Sequence, residues 1–313
     1  MVNSKVVVFG HQGFAGRNVM RELRRHNVAT VGASLSSGLD LRDEASTMVF
    51  LSQHQPTHIL NCAAHVGSLN YVTEQAATII TDNSRMVLGM YGAVAKVCPQ
   101  TLIINPIANC AYPAKAEIFQ EDEFWNGQVH NSVLSYGTSR RLLLVVAECF
   151  AMQYGVRSIN LLTPNMYGPF DSTDPNKAHA LNALVSKFVK AERTGQAELP
   201  VWGTGVAIRE WLYAPDFGRL IWEVLQNPDR EGLQNPVNLA QNDGLSMKEL
   251  IDIIQAKFNY GGKLAWDATK PDGAPKKVMD DSRFRQLFPD FRFTDFEIGI
   301  AETVKYYESI FPY

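Results

Sequence analysis

At 313 residues and 46% hydrophobic content, the chain is long enough to bury a large core and to form two domains or one domain with a lobe. A formal charge of −3, from 29 basic and 32 acidic side chains, provides no electrostatic footprint for nucleic acid. No apolar run approaches the roughly 18 residues of a membrane span, so no membrane partner is expected. An apolar run beginning near residue 5 leaves no room for a signal peptide ahead of it, which points to the cytoplasm.

The first element is a buried parallel strand, Val6 to Phe9, because such a strand needs an unbroken apolar run. Glycines follow at Gly10, Gly13 and Gly16, and a helical pattern then runs to about His26. Glycines so placed let the backbone turn sharply and approach a pyrophosphate at the helix N-terminus. The spacing is G-x-x-G-x-x-G rather than G-x-G-x-x-G. Three glycines alone fit an ordinary turn as well, but the strand before them and the helix after them favour a dinucleotide site.

A second strand is expected at Ala29 to Ala33, a helix at Glu44 to His54 and a third strand at His58 to Asn61. A long unbroken helix follows from Glu74 to Val97, then a strand at Thr101 to Ile104, a helix at Tyr136 to Tyr154 and a strand at Val156 to Leu161. This alternation predicts an α/β fold with a doubly wound parallel (Rossmann) sheet.

Beyond Thr163 the texture changes to turns rich in Pro and Gly with shorter elements. A helix is expected at His179 to Arg193, a strand at Ile208 to Leu212, a helix at Asp216 to Gln226 that returns to the first domain, and a strand at Val237 to Leu239. Ser246 with Glu249 and Thr294 with Glu297 are capping-box patterns that start helices. The expected division is a dinucleotide-binding domain over 1–165 plus 214–240, and a smaller mixed substrate lobe over 166–213 plus 241–313. Cysteines 62, 98, 110 and 149 lack metal-ligand spacing, so no metal is expected and the thiols read as reduced.

Tyr136 and Arg140 open their helix four residues apart and so share a face. A fixed positive charge favours a phenolate, which can exchange protons with a sugar hydroxyl or carbonyl. On its own such a pair is more often a surface feature. With the glycines it resembles the Tyr-x-x-x-Lys of extended short-chain dehydrogenase/reductases. His65-Val66-Gly67, Cys110-Ala-Tyr-Pro113, Thr163-Pro-Asn-Met-Tyr-Gly-Pro169, His179, Val201-Trp-Gly-Thr-Gly205, Arg209-Glu210 and Lys270-Pro-Asp-Gly-Ala-Pro275 follow in order. Over nearly the whole chain these resemble the motifs of the GDP-L-fucose synthase family, epimerase-reductases acting on GDP-4-keto-6-deoxy-D-mannose.

The resemblance implies two stages at one site. Cys110 and His179 match the family's proton carriers for inversion at C3 and C5, and Tyr136, assisted by Arg140, matches the donor that protonates the C4 oxygen during reduction. It implies NADP as cofactor, with NAD as the alternative. The implied contacts are Gly10, Gln12, Gly13, Phe14, Ala15, Gly16, Asp40, Leu41, Ala63, Ala64, Arg140, Pro164, Asn165, Met166 and His179. It places the GDP-sugar on Asn165, Lys187, Trp202, Arg209 and Asp272, within a Lys270 to Asp272 turn, and it implies a homodimer pairing the Glu74–Val97 and Tyr136–Tyr154 helices. Without the resemblance Cys110 reads as a small buried apolar residue, His179 as a cap or surface residue and Trp202 as core packing.

Five positions depart from the family. Ala108 stands where the family has its catalytic serine, and Asn109 beside it should point elsewhere on a strand. Arg140 replaces the lysine, Lys187 an arginine, and Gln12 the arginine of the glycine loop. The end of the second strand, Gly32 to Ser37, has neither an arginine for a 2′-phosphate nor an acid for a 2′-hydroxyl. An intact inversion pair beside a damaged reduction set leaves three alternatives: an epimerase-reductase, an epimerase or an enzyme of another GDP-sugar such as a heptose, and a non-catalytic nucleotide binder. An activated Cys110 should then be alkylated faster than the other three cysteines.

Overall fold

A computed structural model describes residues 5–269, 272 and 274–313; Lys270, Pro271 and Gly273 of the expected substrate turn lie outside them. The chain opens with β1 (Lys5–Phe9), α1 (Phe14–Arg25), β2 (Ala29–Ala33), α2 (Glu44–His54) and β3 (His58–Asn61). The long helix begins later than its pattern suggests. Glu74 closes a short helix, α3 (Leu69–Glu74), and α4 runs Ala76–Val97 after a break at Gln75.

β4 extends to Leu102–Ala108, beyond the expected Ile104, because β5 (Ser158–Thr163) pairs with it along its length. Pro106, a poor strand residue, falls past the last pairing with β3 at Ile104, where a missing donor is tolerated. Helix α5 (Leu134–Tyr154) lies between them.

The second half contains β6 (Asn165–Tyr167), α6 (Ala180–Thr194) and β7 (Glu198–Trp202). The single strand expected at Ile208 to Leu212 is two, β8 (Ile208–Arg209) and β9 (Trp211–Tyr213), which pair in different sheets. Glu210 makes the break: its buried carboxylate accepts from the backbone N–H groups of Gln241 (2.6 Å) and Met279 (2.7 Å). The chain continues through α7 (Ala214–Gln226), β10 (Val237–Asn238), β11 (Leu245–Ser246), α8 (Met247–Gln255), β12 (Lys263–Asp267), β13 (Lys276–Lys277), α9 (Ser282–Leu287) and α10 (Phe296–Ile310).

Ser246 and Glu249 form the expected capping box on α8. The Thr294 box does not form. Thr294 Oγ1 donates instead to the buried carboxylate of Asp216 (2.8 Å), and Asp295 caps α10 by accepting from Glu297 N and Ile298 N.

The six-stranded sheet runs β10-β5-β4-β3-β1-β2, all parallel. Alternate residues of each strand feed opposite faces. Val7, Phe9, Ile59 and Ile103 pack under α2, α4 and α5, while Val6, Val8, Leu60 and Ile104 pack under α1, α7 and α9. A third core joins α6, β7, α8 and α10. Among the described residues no helix is long and apolar enough to cross a membrane.

Candidate active site

The glycine turn is fixed by backbone contacts. Gly10 has φ +72°, and a Cβ there would meet the Cys62 carbonyl at 2.7 Å; a Cβ at Gly16 would overlap the Gly10 carbonyl oxygen. Only glycine lets the three segments approach this closely. Gly13 is the N-cap of α1 and has no side chain to satisfy the first-turn N–H groups, so these remain available to an anion.

In front of this turn lies a cavity of about 710 Å³ at the carboxyl ends of the strands. It brings together Gln12, Gly13, Phe14, Ala15, Ala63, Ala64, Cys110, Tyr136, Arg140, Pro164, Asn165, Met166 and His179. Gly10 and Gly16 lie behind its wall. Asp40 and Leu41 do not line it: Asp40 is gripped by Arg42 (2.7 and 2.9 Å), and Leu41 belongs to the core. Ala108 does line it, as does Asn109, which does not continue the strand as expected but begins a 3-10 turn, Asn109–Ala111.

Burial raises the Tyr136 phenol above its usual value, and the partial offset from Arg140 does not reverse it. The expected depression is absent because burial outweighs the cation, whose guanidinium sits over the ring face, 5.1 Å from its centroid. Arg140 is itself buried. One of its nitrogens donates to Asn83 Oδ1 (3.0 Å), and its Nε has no partner among the described residues. That unpartnered donor, beside the glycine turn, fits a dinucleotide hydroxyl.

Asn83 was not foreseen. It is fully buried in α4, and besides Arg140 it holds both the N–H and the carbonyl of His65 (3.0 and 2.8 Å), tying the His65–Gly67 loop to the cation. Its only trace in sequence is a polar residue within an apolar helix.

Asp171 was also missed. Its buried carboxylate accepts from His179 Nδ1 (3.0 Å), His179 N (2.8 Å) and Asn182 Nδ2 (2.8 Å). Burial pushes this carboxyl up, but those bonds outweigh it and hold it below its usual value. The pairing leaves His179 Nε2 without a hydrogen bond among the described residues, and the ring lies 5.1 Å from Phe14. His179 is thus an oriented, part-exposed residue at the N-cap of α6.

Burial raises the Cys110 thiol to about 11, against the pull of Lys277 and Arg140. Burial thus favours the protonated thiol, and Cys110 is half-buried where Cys149 is exposed, so neither acidity nor exposure singles it out for alkylation. Lys277, a third residue without a sequence signal, is half-buried and close enough to Cys110 and Arg209 to feel both.

The remaining expected residues form a separate cluster beyond Lys277. Lys187 Nζ lies 5.7 Å from the Trp202 ring centroid, and Trp202 is 58% exposed, which removes core packing as its role. Asp272 accepts from Thr204 N and Oγ1 (both 2.7 Å), and its carbonyl accepts from Arg209 (3.0 Å). A largely exposed indole beside the Lys187 ammonium, with the Arg209 guanidinium in the same lobe, suits a base and a diphosphate.

The profile of the NAD dependent epimerase/dehydratase family matches residues 6–240. GDP-L-fucose synthase 1 of Arabidopsis thaliana is 28% identical over 309 residues, covering 97% of this chain and 93% of that protein. Two solved structures share the fold. A GDP-L-fucose synthetase from Naegleria fowleri, bound to NADP, has a TM-score of 0.85 at 24% identity, covering 98% of this chain and 94% of the other. A GDP-6-OMe-4-keto-L-xylo-heptose reductase from C. jejuni has a TM-score of 0.88 at 21% identity, covering 99% of each.

Proposed function

Because the chain belongs to the NAD dependent epimerase/dehydratase family, we propose that it is an epimerase-reductase of a GDP-linked 4-keto-6-deoxy sugar using NADP(H). The observation that carries this reading is the single cavity lined by the glycine turn, Tyr136 with Arg140, Cys110 and His179. Inversion needs two proton carriers and reduction needs a proton donor beside a hydride source, and one cavity holds both sets.

A bound NADPH supplies the hydride. Gly13 to Ala15 would hold its diphosphate, and Arg140, whose Nε is unpartnered among the described residues, would hold a ribose hydroxyl. The 4-keto group acidifies C3–H and C5–H. His179 Nε2, with Asp171 holding the other ring nitrogen, removes a proton from one face, and the Cys110 thiol, protonated in the free protein, returns one on the other. The cations Lys277 and Arg140 favour the thiolate that this donation leaves. Tyr136 then gives its proton to the C4 oxygen; burial keeps that proton in place until reduction. Lys187, Trp202, Arg209 and Asp272 hold the GDP end, with Asn165 between the two regions.

The division into 1–165 plus 214–240 and 166–213 plus 241–313 follows this partition of roles, with α9 returning to the sheet core. We further assign the chain to the cytoplasm as a homodimer, paired through α4 and α5, which expose Leu88, Val145 and Met152.

Ala108 favours a second reading, an enzyme that epimerises and reduces slowly, because no hydroxyl stands where the carbonyl would be polarised. Incubation with GDP-4-keto-6-deoxy-D-mannose in D2O, with and without NADPH, separates the readings. Deuterium uptake with cofactor oxidation is expected of the first, and uptake without oxidation of the second. Neither would sink both for this sugar. If reduction is limited at this position, Ala108→Ser raises its rate on the order of a hundredfold, the scale of one oxyanion donor.

A further inference from the structure

Helix α1 carries Arg17, Arg21 and Arg24 on one face. Together with His11, Gln12 and Phe170 they line a second cavity, of about 460 Å³. Gln12, Arg17 and Phe170 also line the main cavity, so the two adjoin. Among the described residues no carboxylate lines the smaller cavity. Arg25 of the same helix pairs with Glu22 and Arg42 with Asp40 and Asp82, yet the guanidinium groups of Arg17, Arg21 and Arg24 make no hydrogen bond or ion pair among the described residues. His11 Nδ1 is buried without a partner among the described residues. Three like charges around a concave surface repel one another, and a bound anion converts that repulsion into attraction.

The position of the pocket identifies the anion. A dinucleotide whose diphosphate lies at Gly13 to Ala15 places its adenosine ribose at the end of β2. The His11 ring covers Gly32 of β2, and Gln12 accepts from Ser34 and Ser36, so the loop 11–12 sits over that strand end. The strand end itself supplies only serines and no cation. We infer that the pocket beside α1 takes a phosphate monoester, the 2′-phosphate of NADP, and that the α1 arginines rather than the end of β2 set the preference over NAD. This rests on the reading of the main cavity as a dinucleotide site.

The test is the affinity of the full chain for NADPH and NADH, by titration calorimetry, in the parent and in Arg21→Gln/Arg24→Gln. Neither substituted residue lines the main cavity. The parent should bind NADPH about tenfold or more tighter than NADH, the scale of a charge-assisted contact. The double variant should lose most of that preference while its NADH affinity stays within about twofold, which also reports that it folds. Inorganic phosphate should weaken NADPH binding and leave NADH binding alone. Equal affinities in the parent, or a preference unchanged in the variant, would overturn the inference and leave the dinucleotide reading intact. Phosphate that binds without competing with NADPH would assign the pocket to a free phosphate instead and overturn it too. Failure of both dinucleotides to bind would overturn the dinucleotide reading and this inference with it.

Discussion

In the proposed reading, the cofactor end and the nucleotide end of the site hold a diphosphate by opposite means. At the glycine turn the backbone does it: N–H groups at the start of α1, brought close because Gly10 and Gly16 lack a Cβ. At the far end side chains do it. Lys187, Trp202, Arg209 and Asp272 come from four separate segments, and each depends on packing elsewhere in the lobe. A backbone site tolerates no added atom but needs no particular side chain. A side-chain site degrades one contact at a time.

The largest effect therefore belongs to the turn. Gly16→Ala puts a methyl into the Gly10 carbonyl, and the wall cannot yield because it is backbone. NADPH affinity should fall by more than about a hundredfold, over the scale of several lost charge-assisted bonds. Calorimetry showing parent-like binding would mean that the turn is not the diphosphate cradle.

The seam between the two ends is Glu210, and it makes stability depend on pH. Burial raises its carboxyl from 4.5 to about 7, against the pull of the backbone donors. The folded chain thus retains a proton that the unfolded chain releases above 4.5, so the contribution is complete below that value and is lost as pH rises towards 7. Relative to Glu210→Gln, which cannot ionise, the parent should lose about 3 kcal/mol between pH 4.5 and 8. Urea midpoints of the two chains that keep a constant separation across that range would refute the assignment.

At the chemical centre, Asp171→Asn should slow deuterium exchange into the sugar by on the order of a hundredfold, the lower range of a positioned acid–base group. An amide would place N–H against the donors of His179 and Asn182 and favour the wrong ring tautomer. NADPH affinity should not change, since Asp171 acts through His179. Exchange at the parent rate would remove His179 as the carrier.

What could be read from the chain before its fold follows the same division. Strand runs, the glycine spacing and the Tyr136–Arg140 pair are local patterns, and the sheet places them together as expected. Asp171, Asn83 and Lys277 carry no local pattern; they matter because of what folding brings beside them. Local patterns also failed where a tertiary partner intervened. Asp216 takes the Thr294 hydroxyl that should have capped α10, and Glu210 divides one apparent strand between two sheets. The Tyr136 phenol rises and does not fall, because burial, which spacing does not reveal, outweighs the cation four residues on.

The smallest effect, and the one that best separates the two ends, is expected of Trp202→Ala. The indole is largely exposed on β7, next to the Lys187 ammonium. Losing a stacked face and its cation–π partner costs on the order of 1 kcal/mol, so KM for the GDP-sugar should rise about five- to tenfold with kcat and NADPH affinity unchanged. A core tryptophan replaced by alanine would instead cost about 3–5 kcal/mol of stability. A large drop in melting temperature with KM unaltered would return Trp202 to the lobe's packing and leave Lys187 and Arg209 to hold the nucleotide alone.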